Sequence, residues 1–226
     1  MKFSAKTFSF SFFYLLYAFL ESTCDDNVVT NDSEKAEAIF RNLYKAERAE
    51  QLAAVKSLLK LGKEDKQKQM VQTIAQKVFE VIKKSKKTLE NARYIPGESN
   101  FPWDENVRDA LSNVLENTAF FGDIILRLPD ISHEVLKDNL EWNYLLKWGL
   151  FFTKQTALVD QKTHIMLTLV NQEMNYTERH VNFTNPFRKK SIALAKEEIL
   201  LTMKPKPKKR KTIPKGPRLS RRTDDL

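Results

Sequence analysis

A chain of 226 residues with 38 Lys plus Arg, 29 Asp plus Glu and a net charge of +9 has only one cysteine and five glycines. That supply excludes a disulfide framework and a thiolate zinc cluster, and it leaves little material for hairpins or phosphate-cradling loops, so the chain must be held by a packed core, which its length allows. The charge excess is segregated: residues 25–203 carry 26 basic and 26 acidic side chains, whereas residues 204–226 carry ten basic and two acidic ones.

The first element is a leader. Lys2 and Lys6 precede an apolar run over residues 8–20 that is broken only by Ser9 and Ser11, the n-region and h-region of a signal peptide. Its thirteen residues fall short of the ~20 that cross a hydrocarbon layer. Cleavage rather than anchoring is therefore expected, placed after Cys24 because Ser22 and Cys24 suit the small-residue pockets of signal peptidase, with the bonds after Ser22 and Thr23 as alternatives. Cutting at Cys24 removes the cysteine, and residues 1–24 leave the mature chain.

Helical patterning follows. Asn31 with Glu34 three residues on forms a capping box, with Ser33 as a competing N-cap. Ala36, Ile39, Leu43, Ala46, Ala53 and Leu58 carry a stripe to Leu61, where Gly62 is placed as C-cap. Met70, Ile74, Val78, Val81, Ile82, Ser85 and Leu89 define a second amphipathic helix, antiparallel to the first across a short turn. The turn-rich residues 94–102 interrupt the pattern. A third helix is predicted over 104–128, stopped by Pro129, with Val107, Leu111, Val114, Leu115, Thr118, Phe121, Ile125 and Leu128 facing inward. A short helix over 132–137 leads into residues 140–156, apolar almost all round and therefore expected as the central helix of the core. A further helix over 163–174, a polar loop to about residue 190 and an amphipathic segment over 191–203 precede the tail. The expected fold is all-α: a compact multi-helix domain over residues 25–203, beginning with a long antiparallel helical hairpin, then a disordered basic tail over 204–226.

Three N-x-S/T sequons stand at Asn31, Asn175 and Asn182. The leader makes them accessible to lumenal glycosylation, with Asn175 and Asn182 in the polar loop and Asn31 close to the new N-terminus. The tail carries its charge on Lys204, Lys206, Lys208, Lys209, Arg210, Lys211, Lys215, Arg218, Arg221 and Arg222. Residues 207–211 (PKKRK) have the shape of a nuclear import signal, but in the lumen neither the import machinery nor nucleic acid is at hand. A solvated arm touching acidic protein surfaces or headgroups is the expected role. The chain closes on Thr223, Asp224, Asp225 and Leu226, a KDEL-like tetrapeptide. Asp224 and Leu226 match the ER retrieval signal, Asp225 keeps the charge of Glu, and Thr223 departs from the basic position.

Catalytic constellations are missing from the sequence. His133, His164 and His180 lack metal-ligand spacing, and there is no HExxH, GxSxG, Walker or Rossmann fingerprint. Phe120, Phe121, Trp142, Tyr144, Trp148, Phe151 and Phe152 are expected in the core rather than at a ligand site. A non-enzymatic protein without cofactor or metal, and without a transmembrane segment after cleavage, is the expectation.

The block Val114-Leu115-Glu116-Asn117-Thr118-Ala119-Phe120-Phe121-Gly122-Asp123, with Arg127, Pro129, Trp142-Asn143, Trp148-Gly149, Asn185-Pro186-Phe187 and Lys215-Gly216-Pro217-Arg218-Leu219-Ser220, resembles the coiled-coil domain-containing protein 134 family from about Ala36 onward. No sustained heptads accompany the name, which favours a compact domain. The resemblance implies a non-enzymatic accessory protein of the endoplasmic reticulum lumen, associated with the chaperone endoplasmin and the oligosaccharyltransferase-bearing translocon, where it limits hyperglycosylation and degradation of endoplasmin. Binding of a client surface that masks acceptor asparagines would achieve this. It implies two alternatives as well: a secreted regulator dampening MAP-kinase (ERK/JNK) signalling, and a nuclear adaptor bound to an acetyltransferase complex, for which the basic tail is the only support. Lys154-Gln155-Thr156 stands where family members can carry a sequon, so glycosylation there does not transfer.

Overall fold

A computed structural model describes residues 26–181 and 183–188, with side chains from residue 33 onward. Within them run the helices α1 (Asp26–Leu59), α2 (Glu64–Asn91), α3 (Glu105–Arg127), α4 (Pro129–Lys137), α5 (Leu140–Gln155) and α6 (Gln161–Glu173), and residues 186–188 are helical as well. The all-α expectation holds. The leader with its cleavage site after Cys24, Asn182, the 191–203 segment, the basic tail and the 223–226 tetrapeptide lie outside the described residues.

The helices form where caps and periodicity put them. Asp104, Asn139 and Asp160 are N-caps: Asp104 Oδ1 accepts from the Asn106 amide at 2.7 Å, Asn139 Oδ1 from Trp142 at 3.1 Å and Asp160 Oδ1 from Thr163 at 2.9 Å. Pro129 opens α4 at its first turn, where a missing N–H costs nothing; the short helix is therefore longer than the predicted 132–137. Neither Asn31 nor Ser33 caps α1, which starts at Asp26. Nor does Gly62 adopt a left-handed cap, since Gly97 is the glycine with positive φ among the described residues. The first hairpin turns instead on tight bonds from the Lys60 amide to Ser57 O and from Leu61 to Leu58 O.

α3, not α5, is the central helix. It packs against α1, α2, α4, α5 and α6, and every residue from Phe121 to Leu126 on it is buried. Two glycine-permitted approaches fix its neighbours: a Cβ on Gly149 of α5 would stand 2.6 Å from Thr118 Oγ1, and one on Gly122 would stand 3.1 Å from Met166 Sδ of α6. The arms α1 and α2 touch each other little and both lean on α3.

The core forms two clusters. One gathers Phe79, Ile82, Phe121, Ile125, Leu146 and Leu167, with the Phe79 ring edge-on to Phe121 at 5.0 Å and stacked on Trp142 at 5.6 Å, contacts worth about 0.5–1.5 kcal/mol each beyond their area. The other gathers Tyr44, Leu89, Phe101, Leu111, Leu115 and Phe152. Trp148 packs against both.

The face α1 turns inward differs from the predicted stripe. Ile39 and Leu43 are 44% and 45% exposed, whereas Tyr44, Arg48 and Val55 are buried; of the predicted stripe Leu58 does face inward. Hydropathy misassigns the helix because its contact with α3 is a polar seam. Arg48 donates from Nη2 to Asp123 Oδ2 and from Nη1 to Gln51 Oε1, and Arg127 donates from Nη1 to Asp123 Oδ1. Further along the seam, burial pushes the Glu116 carboxyl up to about 7; Glu47 and Asp109 add to the rise, while the Ser112 hydroxyl bond and Arg48 oppose it.

Candidate functional site: an exposed aromatic face on the fifth helix

The residues of α5 divide cleanly between two faces. Leu145, Leu146, Gly149, Leu150, Phe152 and Thr153 are buried. On the other face Leu140 is 84% exposed, Tyr144 59% and Phe151 63%, and Lys147 lies exposed between them. Leu140, Tyr144, Lys147, Phe151 and Lys154 succeed one another at four- and three-residue spacing, so they line up as one outward stripe. The predicted aromatic core group is thereby split: Phe121 and Phe152 are buried, Phe120, Trp142 and Trp148 are half-buried, and Tyr144 and Phe151 face out.

A groove of about 270 Å³ opens beside the C-terminal half of this stripe, lined by Leu89, Tyr94, Pro96, Trp148, Phe151 and Phe152. Its far wall is the segment over residues 94–100. α2 ends in a Schellman turn, with the Tyr94 amide donating to Leu89 O and Arg93 to Glu90 O, and Arg93 takes the left-handed conformation at φ 54°. Next, the Ile95 amide donates to Ser99 Oγ and the Ser99 amide returns to Ile95 O, both at 2.9 Å. Gly97 sits at φ 82°, and a Cβ there would lie 2.8 Å from Gln155 O, so the segment rests directly on the end of α5. Ile95, 51% exposed, extends the apolar surface.

Charge borders the face asymmetrically. Lys83 pairs with Glu141 at 2.5 Å, and Lys86 pairs with Glu90 while lying 5.3 Å from the Trp148 ring centre. Among the described residues Lys147 and Lys154 have no carboxylate partner; Lys147 lies 5.9 Å from the Tyr176 ring centre.

Asn175 is close by. It occupies the left-handed position of a second Schellman turn, at φ 57°, with the Tyr176 amide donating to Asn171 O and its own to Gln172 O. Asn175 and Thr177 are exposed, whereas Tyr176 is half-buried and its hydroxyl donates to Asn143 Oδ1 at 2.7 Å. Burial raises the Tyr176 phenol above its ordinary range, keeping it a donor. Asn31, by contrast, lies within helical backbone of α1. His133, His164 and His180 are not drawn together with other ligands: among the described residues no group of three His, Cys, Asp or Glu could hold a metal ion. No helix among them is long and apolar enough to cross a membrane.

The signal for the outward stripe is present in the sequence as its regular spacing. It is hidden there because the opposite face of the same helix is equally apolar.

Fold and surface together define an all-α protein with a rigid core and an exposed aromatic helix face. Residues 26–220 match the family model described as "ERK and JNK pathways, inhibitor". The chain is 36% identical over 200 residues to the mouse protein named coiled-coil domain-containing protein 134, covering 83% of this chain and 86% of that one. It is 32% identical, over the same shares, to the protein of that name in Xenopus tropicalis. It belongs to the coiled-coil domain-containing protein 134 family, as the block around Val114 leads one to expect. No solved structure matches it.

Proposed function

We propose that the chain is a non-enzymatic accessory protein of the endoplasmic reticulum lumen that binds endoplasmin beside the translocon and oligosaccharyltransferase and limits its hyperglycosylation and degradation. The leader pattern of residues 1–24 carries this reading, because it delivers the chain to the compartment where that partner resides. The exposed Asn175 sequon suits the same compartment. So do the basic arm and the KDEL-like ending. Endoplasmin itself enters through the family resemblance, and the aromatic face of α5 supplies a surface for a protein partner.

A second reading is favoured by the family model's description, inhibition of the ERK and JNK pathways, and the family resemblance would assign it to a secreted form. Digestion with endoglycosidase H separates the two. A sensitive chain that co-purifies with endoplasmin from microsomes is expected. A resistant chain in culture medium would transfer the protein to the secreted reading, and an uncleaved, unshifted chain would point to the nuclear adaptor. Recovery of microsomal chain without endoplasmin or translocon subunits overturns the proposal.

A further inference from the structure

We propose that the outward stripe of α5 and its adjoining groove dock an amphipathic acidic helix of a partner protein, one whose apolar residues recur at four- and three-residue spacing between flanking carboxylates. This deepens the reading above, on which the chain works by binding a protein.

Three observations converge on that occupant. The stripe Leu140, Tyr144, Lys147, Phe151, Lys154 has the spacing by which one helix packs along another, and at 1.5 Å per residue it runs for about 20 Å, a length that some four turns of a partner helix would cover. Large side chains at 84%, 59% and 63% exposure on a helix whose other face is fully packed are a surface to be covered, and aromatic residues dominate such contacts. The charges select the sign: the carboxylates beside the stripe, Glu90 and Glu141, are engaged by Lys86 and Lys83, leaving Lys147 and Lys154 to be complemented from outside. Apolar anchors against the stripe and groove with carboxylates against the two lysines describe the helix-in-groove mode.

On the α1 stripe the cation between Ile39 and Leu43, Arg41, is already paired with Glu37, so that face competes less well for an acidic partner. A lipid surface is disfavoured by the paired carboxylates at the rim, since anionic headgroups reward clustered cations.

The test uses the purified mature full-length chain and a fluorescein-labelled peptide of about 18 residues, with Leu at the two seam positions of each heptad and Glu on the flanks. A second peptide has Lys in place of Glu. Anisotropy is followed at low and high salt. The Glu peptide should bind roughly tenfold more tightly than the Lys peptide at low salt, with the gap closing at high salt. Tyr144→Ser combined with Phe151→Ser should weaken it roughly tenfold. Lys147→Glu combined with Lys154→Glu should weaken binding of the Glu peptide roughly tenfold relative to the parent while strengthening that of the Lys peptide. Tyr144, Lys147 and Phe151 are exposed and Lys154 is half-buried, so thermal melts by circular dichroism should stay close to the parent. The basic tail attracts the Glu peptide equally in every variant, and the differences among variants are what is read.

Equal binding by parent and variants overturns the proposal. So does a dimer, seen by light scattering, that dissociates on Phe151→Ser, which would make a second copy the occupant. Peptide binding that appears only after removal of residues 189–226 would assign the stripe to the chain's own C-terminal segment. Binding of phosphatidylserine vesicles in place of the peptide, lost in the same variants, would assign it to a membrane. An endoglycosidase-sensitive, endoplasmin-bound protein that fails the peptide test loses this face alone, whereas a resistant protein that passes it keeps the face and loses the compartment.

Discussion

Replacing Asp123 by Ala would strand two guanidinium groups inside the α1–α3 seam. The Asp123 side chain is 4% exposed, and its partners Arg48 and Arg127 are 11% and 16% exposed. Each carboxylate oxygen accepts from a different arginine, so neither charge keeps its ion-pair partner after truncation. Breaking a buried pair in this way costs about 3–5 kcal/mol, most of it the penalty of the uncompensated charge. For a domain of this size, at about 2–4 °C per kcal/mol, the melting temperature should fall by roughly 6–20 °C. Urea unfolding followed by circular dichroism reads the free energy directly. Adding Arg48→Met to an Asp123→Leu chain should recover only the share of the loss owed to Arg48, since an apolar pair of similar volume needs no counter-charge, while Arg127 stays unpaired. A loss below about 1 kcal/mol for Asp123→Ala, in the range of a solvent-exposed pair, would refute the argument that the seam is desolvated.

Two further effects follow from the same packing. Glu116 has a carboxyl raised to about 7 in the fold, so the native state holds a proton that the unfolded chain releases near its ordinary value of about 4.5; its contribution is full below pH 4.5 and is lost as pH rises through 7. Glu116→Gln keeps the acceptor for Ser112 and should raise stability above pH 7 by on the order of 2 kcal/mol relative to the parent, with the difference vanishing near pH 4.5, as parallel melts across that range would report. Gly149→Ala places a Cβ 2.6 Å from Thr118 Oγ1 and should cost about 1–3 kcal/mol by overpacking. Combining it with Thr118→Ala should restore part of that loss, and strict additivity in the cycle would show that the two helices do not meet there.

The agreement between sequence and fold is uneven in an instructive way. α2 and α3 are legible because their inward faces are apolar at helical spacing and meet apolar neighbours: Val78, Ile82 and Leu89, and Leu111, Val114, Leu115 and Ile125, are buried as predicted. α1 is legible as a helix but not in its facing, because Arg48 and Tyr44 go inward to meet Asp123 and its surroundings. An ion pair across helices leaves no mark in a hydropathy pattern. The candidate face on α5 is missed for the opposite reason. Its 140–155 stretch satisfies every criterion of a core helix, and which half of an all-round apolar helix stays exposed depends on where its neighbours stop.

By itself the sequence determines the local and covalent terms. It sets the leader pattern, the sequons at Asn31, Asn175 and Asn182, the segregation of positive charge into residues 204–226, and a helical pattern whose start near Asp104 and break at residues 94–102 follow from side-chain chemistry close by. The tertiary structure alone decided which helix is central. It gave that place to α3, because Gly122 and the Gly149–Thr118 approach let two helices come close enough to bury it on all sides. That choice leaves Leu140, Tyr144 and Phe151 of α5 uncovered, an outcome that no spacing within one helix can dictate.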